Sequence, residues 1–171
     1  MHYIECSRAY AKQILAIYND AILHTTAVYE YEERSPNYME AWFSAKEQGS
    51  YPVVGLVDDE GGLLGFSTYG PFRPRPAYQY TVEHSVYVQK DHRGKGLGKL
   101  LLGSIIEKAK AQGYHCMVAG IDSRNTASRR LHEGMGFNLS GTMHEVGFKF
   151  DTYLDLCFYQ LILPQIGIEA I

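Results

Sequence analysis

The chain has 171 residues, of which 46% are hydrophobic and 20% charged, as in folded globular domains. This length fits one domain, residues 1–171, that buries roughly two thirds of its unfolded surface. The net charge of −3 provides no basic surface of the kind that nucleic-acid-binding proteins carry. We therefore expect a small-molecule partner and no nucleic acid.

The sequence contains no recognisable membrane or export segment. Its first ten residues lack the apolar core of a secretory signal, and no later stretch stays apolar over the thickness of a bilayer. Cys6, Cys116 and Cys157 are odd in number and far apart, which predicts reduced structural thiols and neither a disulfide framework nor a zinc site. We expect a cytoplasmic protein with no membrane partner.

Helices and strands alternate in the first half. Serine caps begin both predicted helices, and proline suits the first helical position of the second. Five turn-forming residues between two apolar runs predict a hairpin. The predicted elements are a helix from Ser7 to about Asp20, a helix from Ser35-Pro36, and strands at Tyr51 to Val57, Leu63 to Tyr69 and Tyr78 to Val88.

The second half continues the alternation. Its elements are a helix from Leu97 to Gln112 ended by Gly113, a strand from Met117 to Ile121, a short helix from Asn125 to Glu133, and strands at Asn138 to Glu145 and Leu154 to Leu163. Leu97, Leu101, Ile105 and Ala109 share one face of the longer helix. This order predicts a mixed α/β sheet with helices on its faces.

A glycine-rich turn, Q-K-D-H-R-G-K-G-L-G-K from Gln89 to Lys99, joins a predicted strand to a predicted helix. Gly94, Gly96 and Gly98 permit a positive φ or a close backbone approach, so N–H groups can converge on an anion where the helix begins. Arg93, Lys95 and Lys99 add positive charge. The turn is typical of a pyrophosphate site.

Two other glycine loops are excluded by spacing. A P-loop requires G-x-x-x-x-G-K followed by Ser or Thr, whereas here the spacing is one residue short and Leu100 follows Lys99. A dinucleotide fingerprint requires G-x-G-x-x-G, whereas the chain reads G-x-G-x-G. Nucleoside triphosphatase and NAD-binding functions are therefore not expected.

Several separated segments carry a resemblance to a known family. They are I-Y-N-D-A-I at 17–22, T-T-A at 25–27, T-V-E-H-S-V-Y-V at 81–88, A-G-I-D-S-R-N-T-A-S at 119–128 and V-G-F-K-F at 146–150. With R-G-K-G-L-G-K, they resemble the GNAT superfamily of acetyl-CoA-dependent N-acetyltransferases, and most closely its phosphinothricin (methionine sulfoximine) N-acetyltransferase family. The similarity runs from about Ile4 to Leu163.

The resemblance implies a twisted mixed sheet that splays between the strand ending at Val88 and the strand starting near Met117. Acetyl-CoA lies in such a split, with its pantetheine arm along the opened strand and its pyrophosphate on the glycine turn. The implied cofactor-binding residues are Val86, Tyr87, Val88, Arg93, Gly94, Lys95, Gly96, Leu97, Gly98, Lys99, Asn125 and Ser128.

Two residues are implied in catalysis. Glu83 matches the family's T-V-E-x-S motif and is the candidate base for the attacking amine; the alternative is an ordinary strand carboxylate paired with an arginine. His132 stands where many GNAT enzymes have a tyrosine on the short helix. It is either an acid for the CoA thiolate or only a hydrogen-bond donor to sulfur.

The acceptor site is implied before and around Glu83. Arginine binds carboxylate and tetrahedral oxyanions bidentately, so Arg73 and Arg75 are substrate candidates; two solvated arginines are the alternative. The implied substrate-binding residues are Arg73, Pro74, Arg75, Glu83, His84 and Ser85, with Thr26, Tyr78 and Tyr80 as weaker candidates. His84 is alternatively a packed strand residue.

No metal is predicted, because the seven histidines form no H-x-x-x-H or H-E-x-x-H spacing. Lys149 is expected to approach a pocket, its own or that of a partner subunit. The apolar, tyrosine-rich run from Tyr153 to Leu163 fits the family's homodimers, although such residues also fill cores.

The sequence thus predicts an enzyme that acetylates the α-amino group of a small amino acid or analogue, such as methionine sulfone, methionine sulfoximine or phosphinothricin, and so confers resistance. One alternative is acetylation of a protein N-terminus or polyamine; the arginine pair disfavours the polyamine. Another is a non-catalytic acyl-CoA-binding module, which Glu83 disfavours.

Overall fold

The computed structural model describes residues 1–164 of the chain. They form seven strands and four α-helices in an alternating order. The elements are β1 (His2–Glu5), α1 (Ala11–His24), α2 (Pro36–Gln48), β2 (Val53–Val57), β3 (Leu63–Pro71), β4 (Thr81–Val88), α3 (Leu97–Ala111), β5 (Cys116–Asp122), α4 (Thr126–Gly134), β6 (Asn138–Lys149) and β7 (Thr152–Ile162).

The strands form one mixed sheet in the order β1-β2-β3-β4-β5-β7-β6. β4 and β5 pair in parallel, and the remaining neighbours pair antiparallel. The ladder between β4 and β5 covers only residues 81–83 against residues 116–118, after which the two strands separate. The centre of the sheet therefore opens into a gap while each half stays paired.

The helices cover both faces of the sheet. α1 and α2 pack on one face, where Ile14, Phe43 and Phe66 belong to one buried cluster. α3 packs on the other face, where Ile105 and Val82 belong to a second cluster. Side chains of β4 alternate between these faces, so Glu83 and Tyr87 point to the α1 side and His84 to the α3 side.

Most predicted elements form, and their caps explain why. The Ser35 hydroxyl accepts a hydrogen bond from the Tyr38 N–H, with Pro36 at the first helical position. The Asn125 side chain caps α4 by accepting from the Ser128 N–H at 3.0 Å. Gly113, at φ 80°, follows α3 in the left-handed conformation expected of a helix stop.

Some predicted boundaries are wrong. The strand β1 was not predicted, because four residues at a sheet edge carry little periodic signal. α1 continues beyond Asp20 to His24, and β6 continues beyond Glu145 to Lys149. β6 contains a bulge between Met143 and Gly147, which interrupts the alternation on which a strand prediction depends.

All three cysteines are free and buried, as predicted. No helix within residues 1–164 combines the length and apolar character needed to cross a bilayer.

Candidate active site

A cavity of about 740 Å³ occupies the gap between β4 and β5. Its walls come from both faces of the sheet, since residues of α1 line one side and residues of α3 and α4 line the other. The gap exposes the edge of β4 from Ser85 to Val88, which has β3 on one side and no register partner on β5 on the other. Such an edge offers main-chain groups to an extended ligand.

The glycine turn forms one end of this cavity. Gly94 and Gly96 adopt φ values of 75° and 81°, and Gly96 is the N-cap of α3 with no side-chain cap. Gly98 lies close to α4, because a Cβ at this position would stand 3.2 Å from Leu131 Cδ2. The turn thus directs the positive end of α3 into the cavity.

The cations of the turn differ in their placement. Lys99 and Arg93 line the cavity, whereas Lys95 is exposed and lies outside its lining. Arg93 is also engaged with protein groups, since Nη2 pairs with Asp20 Oδ2 at 2.7 Å and Nε donates to the Val88 carbonyl at 3.2 Å. This ion pair ties the turn to α1.

Glu83 lies where the β4–β5 ladder ends. Burial raises the pKa of its carboxyl group, and the charge of Arg73 partly opposes that shift. Its Oε1 atom would stand 3.5 Å from a Cβ at Gly120, so the missing side chain leaves space beside the carboxylate. A carboxylate with a raised pKa at the cavity wall is suited to accept a proton.

His84 and His132 form a buried pair on the α3 side of the cavity. Their rings stack at 17° with the two Nε2 atoms 3.2 Å apart. His132 Nδ1 lies 2.7 Å from the Ser128 carbonyl, which only accepts, so this nitrogen carries the proton. Neutral His132 must then accept at Nε2 from the Nε2–H of His84.

Both imidazoles of the pair are disfavoured as cations. Burial lowers the pKa of His84 to about 3, with a smaller contribution from His132, and burial also lowers the pKa of His132. His84 Nδ1 is buried without a hydrogen-bond partner in the described residues. Neutral His132 consequently has no N–H left over for a ligand in the cavity.

The α1 side of the cavity contains groups that the sequence analysis missed. Asp122, only 4% exposed, lines the cavity and accepts hydrogen bonds from the Thr26 hydroxyl and the Arg124 N–H. Gly120 and Asp122 follow Val118 at intervals of two, which places all three on the Glu83 face of the sheet. That spacing was the signal in the sequence that could have identified them.

The predicted arginine pair stands apart from the main cavity. Arg73 and Arg75 are exposed, as is Pro74, and the Arg73 guanidinium lies 4.4 Å from the centre of the Phe72 ring. Tyr78 lines a second cavity of about 260 Å³ with Thr81 and Phe158, on the Glu83 face. Arg73 remains near enough to Glu83 to affect its pKa, but makes no ion pair with it.

Lys149 is absent from the lining of the cavity of its own chain. Its ammonium group is buried and donates to three backbone carbonyls, those of Ile22, Thr25 and Val28. Within residues 1–164, no cluster of three or more His, Cys, Asp or Glu side chains has a geometry suited to a metal ion.

The remaining predicted residues meet in one place. The structure brings together in the main cavity Glu83, His84, Ser85, Val86, Tyr87, Val88, Arg93, Gly94, Gly96, Leu97, Gly98, Lys99, Asn125, Ser128 and His132. Residues separated by almost fifty positions therefore surround one opening, which reaches from the glycine turn to Glu83.

Comparison with known proteins agrees with this geometry. Residues 13–137 match the model of the Acetyltransferase (GNAT) family. The chain belongs to the GNAT family. An acetyltransferase of Salmonella typhimurium, solved with its cofactor acetyl-CoA, has a TM-score of 0.94 at 40% identity, covering 99% of this chain and 98% of that one.

Named enzymes are also similar over most of the chain. The L-methionine sulfoximine/L-methionine sulfone acetyltransferase of Pseudomonas paraeruginosa is 50% identical over 150 residues, which cover 88% of this chain and 87% of that enzyme. A phosphinothricin N-acetyltransferase of Streptomyces coelicolor is 36% identical over 151 residues, with 87% and 88% covered. The predicted family, fold class and N-acetyltransferase class are thereby confirmed.

Proposed function

We propose that this protein transfers the acetyl group of acetyl-CoA to the α-amino group of a small amino acid or analogue, such as methionine sulfone, methionine sulfoximine or phosphinothricin. The observation that carries the proposal is the position of Glu83, a carboxylate with a raised pKa at the wall of the cavity that begins at the glycine turn. The named relatives act on such amino-acid analogues.

The residues present fit acetyl-CoA. Gly94 and Gly96 leave the backbone of the turn uncovered, and a Cβ at either position would meet nothing within 4 Å. Lys99 supplies charge there for a pyrophosphate, and Lys95 supplies more from the outer side of the turn. The open edge of β4 from Ser85 to Val88 is suited to the amide groups of the pantetheine arm. When bound, acetyl-CoA supplies the activated acetyl group.

Glu83 acts as the general base in this proposal. The acceptor amine is mostly protonated at neutral pH, and its nitrogen must lose a proton to attack a carbonyl carbon. Glu83 takes that proton, directly or through one water molecule. The backbone N–H groups at the end of β4, near Val88, are placed to donate to the carbonyl oxygen as negative charge develops on it.

We assign His132 a supporting role. Each of its ring nitrogens already has a protein partner, Ser128 on one side and His84 on the other. With a lowered pKa it stays neutral at pH 7, and its proton faces Ser128. We therefore propose that His132 and His84 shape the wall beside the acetyl group, and that the CoA thiolate leaves without a protein acid.

The acceptor site lies on the Glu83 face of the sheet. We propose that Arg73 and Arg75 bind the carboxylate or the oxidised side-chain end of the amino acid, since both stand in the loop next to Glu83 and are free of carboxylate partners within residues 1–164. Ser85 lies one residue pair further along the same face. This arrangement favours an acceptor with an anionic or strongly polar end over a polyamine.

We also propose a homodimer. Of the large apolar side chains exposed on β6, on β7 or in the turn between them, five lie within residues 143–153, and so many are unusual on an isolated surface. They are Met143, Val146, Phe148, Phe150 and Tyr153. A second copy of the chain that covers this patch would explain its exposure in one copy. Sedimentation velocity measures whether the protein is a dimer. The cytoplasmic location and a role in resistance stay predictions.

The test is a CoA-release assay over a panel of amines. Methionine sulfone, methionine sulfoximine and phosphinothricin should be acetylated, whereas a peptide beginning with alanine and the polyamine spermidine should not. Turnover of only the peptide or the polyamine would contradict the proposal.

The role of Glu83 is tested on the amine that gives the highest turnover. Loss of the base in Glu83→Gln should lower kcat by about 10²- to 10⁴-fold, the usual contribution of general-base catalysis. Binding of acetyl-CoA should persist. The control Glu60→Gln changes an exposed turn carboxylate and should leave kcat unchanged. Full activity in Glu83→Gln would contradict the assignment of Glu83 as the general base.

A further inference from the structure

The hairpin end between β6 and β7, residues 147–152, grips a segment that lines the active-site cavity. This segment, residues 25–31, follows α1 and contains neither helix nor strand. Its Thr25 and Ala27 line the cavity, and its Thr26 hydroxyl donates to Asp122. A cavity wall without regular backbone pairing requires another means of holding its shape.

Lys149 supplies the strongest of these contacts. Its Nζ donates to the Ile22 carbonyl at 2.6 Å, to Thr25 at 2.8 Å and to Val28 at 2.7 Å, which uses all three ammonium protons. Ile22 lies in the last turn of α1, where the partial negative charge of the helix end favours a cation. One side chain therefore joins the end of the helix to two points of the segment.

The burial of this charge is unusual. Lys149 is 3% exposed and forms no ion pair with any carboxylate of residues 1–164. Burial lowers the pKa of its ammonium group, and the charge of Glu30 partly opposes that shift. An apolar side chain of similar length would avoid this cost but would leave the three carbonyls without the donor that Lys149 provides.

Two further contacts join the same pair of regions. The Tyr31 hydroxyl donates to the Phe148 carbonyl at 2.6 Å. Gly147 accommodates the Tyr29 ring, because a Cβ at this position would stand 2.6 Å from Tyr29 Cε2. The hairpin end thus holds the 25–31 segment at its beginning, middle and end.

The bulge in β6 directs the hairpin end toward the segment. Between Met143 and Gly147 the strand gains residues relative to β7, and Glu145 takes a positive φ of 52°. Asp155 of β7 fixes this distortion by accepting from the Glu145 N–H at 2.8 Å and contacting His144 Nδ1 at 3.0 Å. Asp155 therefore stabilises the bulge, which directs residues 147–149 toward the 25–31 segment.

We propose that Lys149 is a positioning residue for the acceptor side of the active site. It fixes residues 25–28, which carry Thr26 and its bond to Asp122, on the α1 side of the cavity where Glu83 points. Within residues 1–164, no hydrogen bond or ion pair joins the glycine turn at the donor end to residues 147–152. The proposal rests on the proposed function for its kinetic consequence, but its structural consequence is independent of any substrate.

Lys149→Met tests the proposal, because methionine keeps much of the side-chain length and removes the three donors. In hydrogen–deuterium exchange, the amides of residues 22–31 should exchange at least about tenfold faster, while those of α3 keep their rates. The KM for the acceptor amine should rise about tenfold and the KM for acetyl-CoA should stay within about twofold. Lys108→Met, on the exposed side of α3, is the matched control and should change neither.

A milder variant keeps the proposal testable if Lys149→Met does not fold. Tyr31→Phe removes only the hydroxyl that reaches Phe148, and should raise exchange in residues 25–31 and the acceptor KM in the same direction, by about two- to threefold. Unchanged exchange of residues 22–31 in both variants would overturn the proposal that the hairpin end holds this segment. Faster exchange with equal losses for amine and acetyl-CoA would overturn its acceptor-side role, whereas a parent enzyme that acetylates no amine would instead refute the proposed function.

Discussion

The two ends of the cavity are built in different ways. The donor end consists mainly of one continuous stretch, the glycine turn and the start of α3, with residues of α4 beside it. The acceptor side that we propose is assembled from residues 25–31, the loop around Arg73, the end of β5 and the hairpin end at Lys149. Binding of a common cofactor can thus be encoded locally, while recognition of a particular acceptor depends on several segments meeting.

Gly96→Val should affect the donor end alone, and its effect should be larger than that of Gly120→Ala or of either arginine substitution. A β-branched residue at φ 81° is strained, and its side chain would cover backbone donors of the turn. Loss of one or two hydrogen bonds to a charged ligand costs about 2–3 kcal/mol, so the acetyl-CoA KM should rise about 30- to 150-fold. Steady-state kinetics with varied acetyl-CoA measure it.

Gly113→Val is the matched control for that variant. Gly113 has φ 80° at the other end of the same helix, again with nothing within 4 Å of an added Cβ. Both variants should lose similar stability in urea unfolding, about 1–2 kcal/mol, but only Gly96→Val should lose affinity for acetyl-CoA. Equal kinetic losses would assign the effect to α3 as a whole and not to the turn.

Gly120→Ala should affect the acceptor side. Its methyl group would stand 3.4 Å from Leu156 and 3.5 Å from Glu83, which are ordinary contacts, so the protein should fold normally. The space beside Glu83 would nevertheless be filled, and kcat/KM for the amine should fall about tenfold, the usual effect of one methyl group in a fitted site. The control Gly141→Ala, in open space on β6, should behave like the parent. Unchanged kcat/KM in Gly120→Ala would show that the acceptor amine binds elsewhere.

Substitutions in the arginine loop should give the smallest effects. Arg73→Ala and Arg75→Ala distinguish an effect on the pKa of Glu83 from an effect on amine binding. Glu83 must be ionised to act, so log kcat/KM should fall more steeply below its pKa than above it. Arg73→Ala removes the cation that opposes the raised pKa, so this break should move to higher pH. Arg75→Ala should leave the break in place and raise the amine KM up to about fivefold.

The pH profile of kcat/KM for the amine measures the break in parent, Arg73→Ala and Arg75→Ala. All three enzymes share the slope due to ionisation of the amine itself, so only the Glu83 break distinguishes them. An unmoved break in Arg73→Ala would show that a group other than Glu83 limits the acid side.

The contrast between the two ends also explains what the sequence could reveal. The glycine turn between a strand and a helix, the Ser35 and Asn125 caps and the buried strands are local patterns with local physical causes, and the fold confirmed these structural predictions. The role of Lys149 was not predicted, since its three partners lie more than 120 positions earlier in the chain. The contact between Asp122 and Thr26 was not predicted, since the two residues are 96 positions apart in the chain.

The short ladder between β4 and β5 has a mechanical consequence. The two halves of the sheet are joined there only over residues 81–83 and 116–118. Beyond Glu83, β4 stays paired with β3 but has no partner on β5, and this part of the strand is about 17 Å long, at about 3.3 Å for each of its residues. Rotation of one half by only about 5° moves the far end of this part by about 1.5 Å. A small rotation at the ladder would therefore change the width of the cleft at Val88, and the packing of Tyr87 against Tyr18 of α1 would resist that rotation.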